Sequence, residues 1–256
     1  MTGLKAMCIA FSIYSKIPVP IFKWEEKEMK YQLIFFPWIG AIIGALLVGW
    51  NYLAGKVNLG NMAYVLIATA IPLIITGGFH VDGYMDTMDA FHSYKSREEK
   101  LEILKDPHIG AFAVIMLSLL GMFYIGAISE ISSDCVKAYA GAFFVSRCLS
   151  GIAVVLFPSA KKDGMLHTFS SSVEGKSNGI VLFSLLIQLL LGAGYMVFMK
   201  PYAGLVMILA IAVFFIYYWY KTKKEFGGIT GDTAGWFVTV GETVMAVAAA
   251  ICCVIL

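Results

Sequence analysis

Asp82, Asp86 and Asp89 stand at i, i+4 and i+7 of a single stretch. On a helix turning 100° per residue they share one narrow face and form a carboxylate ridge. Like charges four residues apart repel, so the ridge is costly unless a cation sits against it. Hard oxygen donors suit Mg²⁺, which keeps several waters and is held by one or two carboxylates plus the phosphates of a substrate. Gly83 leaves room for a ligand or a second backbone to come close. The plainer alternative is a solvated acidic face. What weighs against it is the setting, because Thr76 to Gly110 gathers seven acids, four Lys or Arg and three of the four histidines of the chain.

His80 and His92 lie near the ridge as acid/base candidates. His108 and His167 read as surface residues, and no paired histidine spacing argues for zinc. Lys105 suits either neutralisation of substrate phosphate or snorkelling at an interface. Asp106, followed by Pro107, suits either a substrate contact or the N-cap and first-turn proline of the next helix. A second polar segment, Gly227-Gly228-Ile229-Thr230-Gly231-Asp232, precedes the last apolar run. Its three glycines permit backbone conformations that aim amides at an anion. Asp232 is placed to complete a metal site and Thr230 to bond a phosphate, while a plain helix N-cap at Asp232 explains the same residues. Glu242 lies ten residues beyond Asp232, about 15 Å along a helix, in apolar surroundings where an ionisable group faces the bundle interior. Arg147, the one cation inside an apolar run, is its candidate partner. The pair reads equally as an interhelical ion pair and as a substrate contact.

These residues must be held by membrane helices. The chain is 59% hydrophobic and 14% charged, with a mean hydropathy of +0.80, against about half and a quarter in soluble domains. We therefore expect an all-α, polytopic membrane bundle forming one domain over residues 1–256, embedded in a lipid bilayer. Seven apolar runs, near 33–55, 62–79, 109–128, 138–157, 178–199, 202–220 and 235–256, approach the roughly 20 residues needed to cross. Gly40 and Gly44 suit close helix packing, and Pro72 suits a kink. Residues 1–20 suit an interfacial or re-entrant helix broken at Pro18 and Pro20. With a cytoplasmic N-terminus, the loops on that side hold 15 Lys or Arg and the opposite loops hold 3, with Arg147 inside a span. This is the positive-inside pattern, and it puts both acidic segments on the cytoplasmic side of the cell membrane. The five cysteines show neither metal spacing nor a disulfide framework, and nothing points to nucleic acid. A homo-oligomer is compatible with the sequence, which does not specify one.

Taken together, the run Gly77 to Asp89, then Lys105-Asp106 with Gly110, then Gly228-Ile229-Thr230-Gly231-Asp232 with Glu242 resembles the cobalamin synthases, or adenosylcobinamide-GDP ribazoletransferases. Ile17-Pro18-Val19-Pro20 is similar to that family's amino-terminal signature. Lys16 stands where the family usually has Arg, and Ala90 where it usually has Gly. The resemblance implies that the hydroxyl of α-ribazole, or of its 5′-phosphate, attacks the cobinamide-bearing phosphorus of adenosylcobinamide-GDP and releases GMP with Mg²⁺. It further implies a metal at Asp82, Asp86, Asp89 and Asp232, with Asp89 or His80 taking the proton. Substrate contacts would come from Gly83, Lys105, Asp106, Thr230, Arg147 and Glu242. Aspartates four apart also fit a membrane prenyltransferase. A CDP-alcohol phosphotransferase fits less well, because Met85-Asp86 replaces the Ala-Arg that follows its Asp-Gly. An ion-coupled transporter would need acids lining mid-membrane, which Glu242 alone supplies.

Overall fold

The computed structural model describes residues 2–21, 26–160 and 176–255. Apolar runs become helices because a bilayer offers no partner for a backbone amide outside its own segment. The helices are α1 (Thr2–Tyr14), α2 (Glu26–Met29), α3 (Phe36–Lys56), α4 (Asn61–Thr76), α5 (Phe79–His92), α6 (Arg97–Ile103) and α7 (Ala111–Glu130), then α8 (Ser133–Ala140), α9 (Ala142–Leu156), α10 (Lys176–Met199), α11 (Pro201–Phe226) and α12 (Gly231–Ile255). Among the described residues no strand occurs, only one isolated bridge between Ser159 and Ile229. The protein is an all-α, multi-pass membrane bundle. Residues 161–175, with His167 and two of the lysines counted above, lie outside the described residues.

Among the described residues six segments are long and apolar enough to cross a membrane: Gln32–Lys56, Ala111–Glu130, Ser133–Leu156, Asn178–Met199, Pro201–Phe226 and Gly231–Ile255. The expected second span, 62–79, is corrected in kind. Only α4 and α5 together are long and apolar enough to cross, and the chain turns by 93° between them. The turn falls at Gly77 and Gly78, whose φ of 64° and 79° lie in the left-handed region that costs glycine nothing, and not at Pro72. The expected sixth span runs on past 220 to Phe226, so Lys221, Lys223 and Lys224 continue the helix. At 13 residues α1 is too short to cross. It buries Ala6, Cys8, Ile9, Ala10 and Tyr14 and ends before the two prolines.

Contacts sort the connections into two ends. At one end the Lys16 backbone N–H donates to the Ile75 carbonyl, Arg97 donates to the carbonyls of Lys223 and Lys224, and Ala160 N–H donates to Ile229. At the other, Asn51 donates to the Ser133 carbonyl and Ser132 meets Cys253. Both acidic segments lie at the first end. The α3–α9 crossing that builds the wall behind it depends on small residues: a Cβ at Gly40 would overlap the Phe143 carbonyl, and one at Gly44 the Ala140 carbonyl. Gly49, on the same helix, faces open space. Gly40→Leu is therefore expected to lower the melting temperature of the detergent-solubilised protein by the equivalent of about 1–3 kcal/mol or more, with Gly49→Leu close to unchanged. Equal melting of the two variants would show that this crossing is loose.

Candidate active site

α5 carries the ridge and lies across the N-terminal end of α12. The crossing is a backbone contact. A Cβ at Gly83 would sit 2.8 Å from the Asp232 carbonyl oxygen and 2.9 Å from its Cα, and one at Gly235 would sit 2.9 Å from the His80 carbonyl oxygen. Gly83 and Gly235 thus bring Asp82, next in sequence to Gly83, beside the turn that carries Asp232. Asp82 is exposed, and Asp86, Asp89 and Asp232 are half-buried. Among the described residues no group of three or more His, Cys, Asp or Glu is placed to hold a metal. The protein alone does not form a closed cation cage.

Asp89 has a definite structural task. Its carboxylate accepts from the backbone N–H groups of Gly110 at 2.7 Å and Ala113 at 2.8 Å, the first turn of α7, whose amides have no intrahelical acceptor. Negative charge there also suits the helix dipole. The reading of Asp106 as that cap is corrected: α7 starts at Ala111, and the Asp106 side chain turns back to the His108 N–H at 3.0 Å and ring Nδ1 at 2.6 Å. The His108 backbone N–H, then its ring, hold the Asp106 carboxyl below the ordinary aspartate range. Lys105 pairs with Glu102 at 2.9 Å, both exposed.

The glycine-rich turn before α12 is spent differently from the sequence reading. Gly227, at φ 82°, is the left-handed cap of α11, its N–H donating to Lys223. Gly228 lies against the Pro158 carbonyl, and the Ile229 N–H donates to that carbonyl at 2.9 Å. Neither glycine is an anion cradle, and only Gly231 faces open space. The cap of α12 is Thr230 rather than Asp232: its Oγ1 accepts from the Thr233 N–H at 3.1 Å and donates to the Asp232 carboxylate at 3.2 Å. Thr230 is fully buried.

Arg147 and Glu242 meet deep in the bundle, Nη1 to Oε1 at 2.6 Å. Ser146 donates to the same oxygen at 3.2 Å, and Arg147 also donates to the Phe143 carbonyl at 2.8 Å. His80 is buried on the face of α5 turned about 200° from Asp82. It stacks on Phe36 with centroids 5.6 Å apart, and neither ring nitrogen has a hydrogen-bond partner. It faces the bundle and not the ridge.

The charged connection between α5 and α7 was missed as a clamp. Ser96 and Glu99 form a reciprocal capping box that starts α6, a signal readable as Ser-x-x-Glu. Lys100 and Lys221 then share Glu225. With the Arg97 contacts, this ties α6 to the end of α11 and so holds the first acidic segment beside the second.

A family model described as Cobalamin-5-phosphate synthase matches residues 6–250. The chain belongs to that synthase family. It is 42% identical to the adenosylcobinamide-GDP ribazoletransferase of Lachnoclostridium phytofermentans, covering 93% of this chain and 90% of the relative. It is 32% identical to the protein of that name in Clostridium botulinum, covering 94% of each chain. The corresponding protein of Halalkalibacterium halodurans is 28% identical over 94% of this chain and 93% of its own. No solved structure matches.

Within this synthase-family fold, Asp89→Ala strips the acceptor from two first-turn amides. We expect it to destabilise the start of α7 by about 0.5–2 kcal/mol, read as faster hydrogen exchange confined to the first turn of α7. Asp89→Asn, keeping one acceptor oxygen, should lose less. Unchanged exchange in Asp89→Ala would dismiss the capping role.

Proposed function

We propose that this protein transfers the adenosylcobinamide phosphate group of adenosylcobinamide-GDP to α-ribazole or its 5′-phosphate, closing the nucleotide loop of cobalamin and releasing GMP. The observation that carries it is the backbone crossing at Gly83 and Asp232. It joins the two acidic segments at one end of the bundle, in a chain whose relatives bear that activity's name. The hydroxyl oxygen of the riboside forms a bond to the cobinamide-bearing phosphorus. The bond from that phosphorus to the bridging oxygen of the diphosphate breaks, and the electron pair leaves with GMP. The attacking hydroxyl loses its proton to a carboxylate of the ridge that faces the substrate, Asp82 or Asp86.

Such transfers need positioning and neutralisation of oxygen charge more than covalent help from the protein. Two or three oxygen donors in open or half-buried positions fit Mg²⁺, which takes few protein ligands and fills its shell with water and phosphate. One or two of Asp82, Asp86 and Asp232 would hold it, the rest of its shell coming from water and substrate phosphate. When bound, the ion neutralises the diphosphate and the departing GMP. Asp89 then acts as a positioning residue, fixing the loop that carries Lys105 and Asp106 against α5. The amide-rich first turn of α12 offers positive dipole to the same phosphates. We place this end on the cytoplasmic side, because its loops hold most of the Lys and Arg.

Purified protein supplied with adenosylcobinamide-GDP, α-ribazole and Mg²⁺ is expected to release GMP. The activity should be lost on chelation and restored by added Mg²⁺. Asp82→Asn and Asp232→Asn are each expected to reduce turnover by about 10²-fold or more with membrane insertion intact. Near-normal turnover in both variants would remove the shared metal site, and absence of GMP from folded wild-type protein would remove the reaction.

A further inference from the structure

Most of α11 is spent on packing, and one stripe of it is not. Met207, Ile211, Phe214, Tyr218 and Thr222 are buried against the bundle. On the opposite side Leu209, Val213, Ile216 and Tyr220 are each more than half exposed, and at 100° per residue they lie within about 60° of one another. Lys223 and Lys224, both exposed, continue this stripe at its two edges. From Leu209 to Lys223 the axis rises by about 21 Å, the depth of one leaflet with its headgroups. The face therefore presents apolar surface, then an interfacial aromatic, then cations, which is the order of chemistries along a phospholipid.

Lysines at the end of a helix commonly complement its dipole, so what matters is how their charge is used. Lys221, on the other side of the same turn, is consumed: it pairs with Glu225, which Lys100 also holds, and lies 4.8 Å from the centre of the Phe91 ring. Lys223 and Lys224 have no acidic partner among the described residues. The Lys223 ammonium sits 5.0 Å over the Trp219 ring, which keeps it at the level of the interfacial aromatics. The last carbonyls of α11, whose partial negative charge would repel an anion, are covered. That of Lys223 accepts from the Gly227 N–H at 3.1 Å and from Arg97 at 3.4 Å, and that of Lys224 from Arg97 at 3.3 Å. Arg97 is itself exposed and brings a third cation to this turn; Glu98, exposed beside it in sequence, leaves the group net positive.

We propose that this face of α11 holds an anionic phospholipid, its phosphate at Lys223 and Lys224 with Arg97 alongside, and its acyl chains along Leu209, Val213 and Ile216. A zwitterionic headgroup would bring its own cation to a place that already has three. The substrate diphosphate belongs elsewhere, because α12, which carries Asp232, packs on the inner side of α11 through Phe214 and Tyr218, and the lysine stripe turns away from it. Since Arg97 belongs to α6, a phosphate shared by these cations also strengthens the tie between α6 and α11.

The test titrates the detergent-solubilised full chain with phosphatidylglycerol and follows the melting temperature, which rises when a ligand binds the folded state. Phosphatidylglycerol is expected to raise it, and phosphatidylcholine with the same acyl chains to raise it far less. In the double variant Lys223→Gln with Lys224→Gln, the phosphatidylglycerol concentration giving half the effect should increase by about 25-fold, roughly fivefold for each lysine. Lys56→Gln is the control, because Lys56 also lies over a ring, that of Tyr52 at 4.8 Å, but ends α3 as its only basic residue. It should match wild type. An equal effect of the two lipids, or a double variant that titrates like wild type, overturns the proposal. Displacement of the lipid by millimolar inorganic phosphate would show a site for free anions and overturns it as well. Should the double variant fail to fold, salt decides on wild type alone: the lipid effect must weaken as ionic strength rises, and an effect independent of salt refutes an ionic headgroup contact.

Discussion

The structure turns on a contact without side chains. α5 can lie across α12 only because Gly83 and Gly235 present bare backbone to each other's helix; a single Cβ at either place would stand within 3 Å of a carbonyl oxygen. In a bilayer, association between helices gains little from the hydrophobic effect, so close van der Waals approach is a main source of attraction. The same contact that holds these helices together is the one that sets Gly83, next to Asp82, against the Asp232 backbone. Packing and site geometry are therefore one constraint, and a larger residue at either glycine would disturb both at once.

Around that crossing, polar interactions are placed where they oppose separation. The Asp89 carboxylate reaches from α5 to the amides of α7, while Arg97 and Lys100 reach from α6 to the last turn of α11. Exposed ion pairs add little individually, yet Lys100 is 8% exposed and its acid partner is shared with Lys221. Deep in the bundle the Arg147–Glu242 pair carries a desolvation cost that an apolar pair of the same volume would not. It also removes Glu242 as a free mid-membrane acid, the one feature that favoured ion-coupled transport.

The sequence shows clearly whatever depends on local periodicity or on composition. The apolar runs give most of the spans to within about six residues, though not the bent second one; the i, i+4, i+7 spacing gives the ridge, since helix geometry is invariant. What stays hidden are the choices among equivalent partners. Asp106 and Asp89 are equally able to cap α7, and only the fold shows that the acid 21 residues upstream of Gly110 does so. Gly227 and Gly228 look like an anion nest, yet one ends α11 and the other makes room for the Pro158 carbonyl.

The 93° turn at Gly77 and Gly78 explains how a diphosphate chemistry can be built into so oily a chain. Had α5 continued the axis of α4, Asp89 would stand about 20 Å beyond Thr76 on an unsupported rod, and Asp232 would be out of reach. Laid across the end of the bundle, α5 meets two environments along its whole length. One face carries the exposed Asp82 and the half-buried Asp86; the other gives His80 to an apolar interior. That division of one helix between a polar and an apolar face is available only where the apolar interior of the bundle ends.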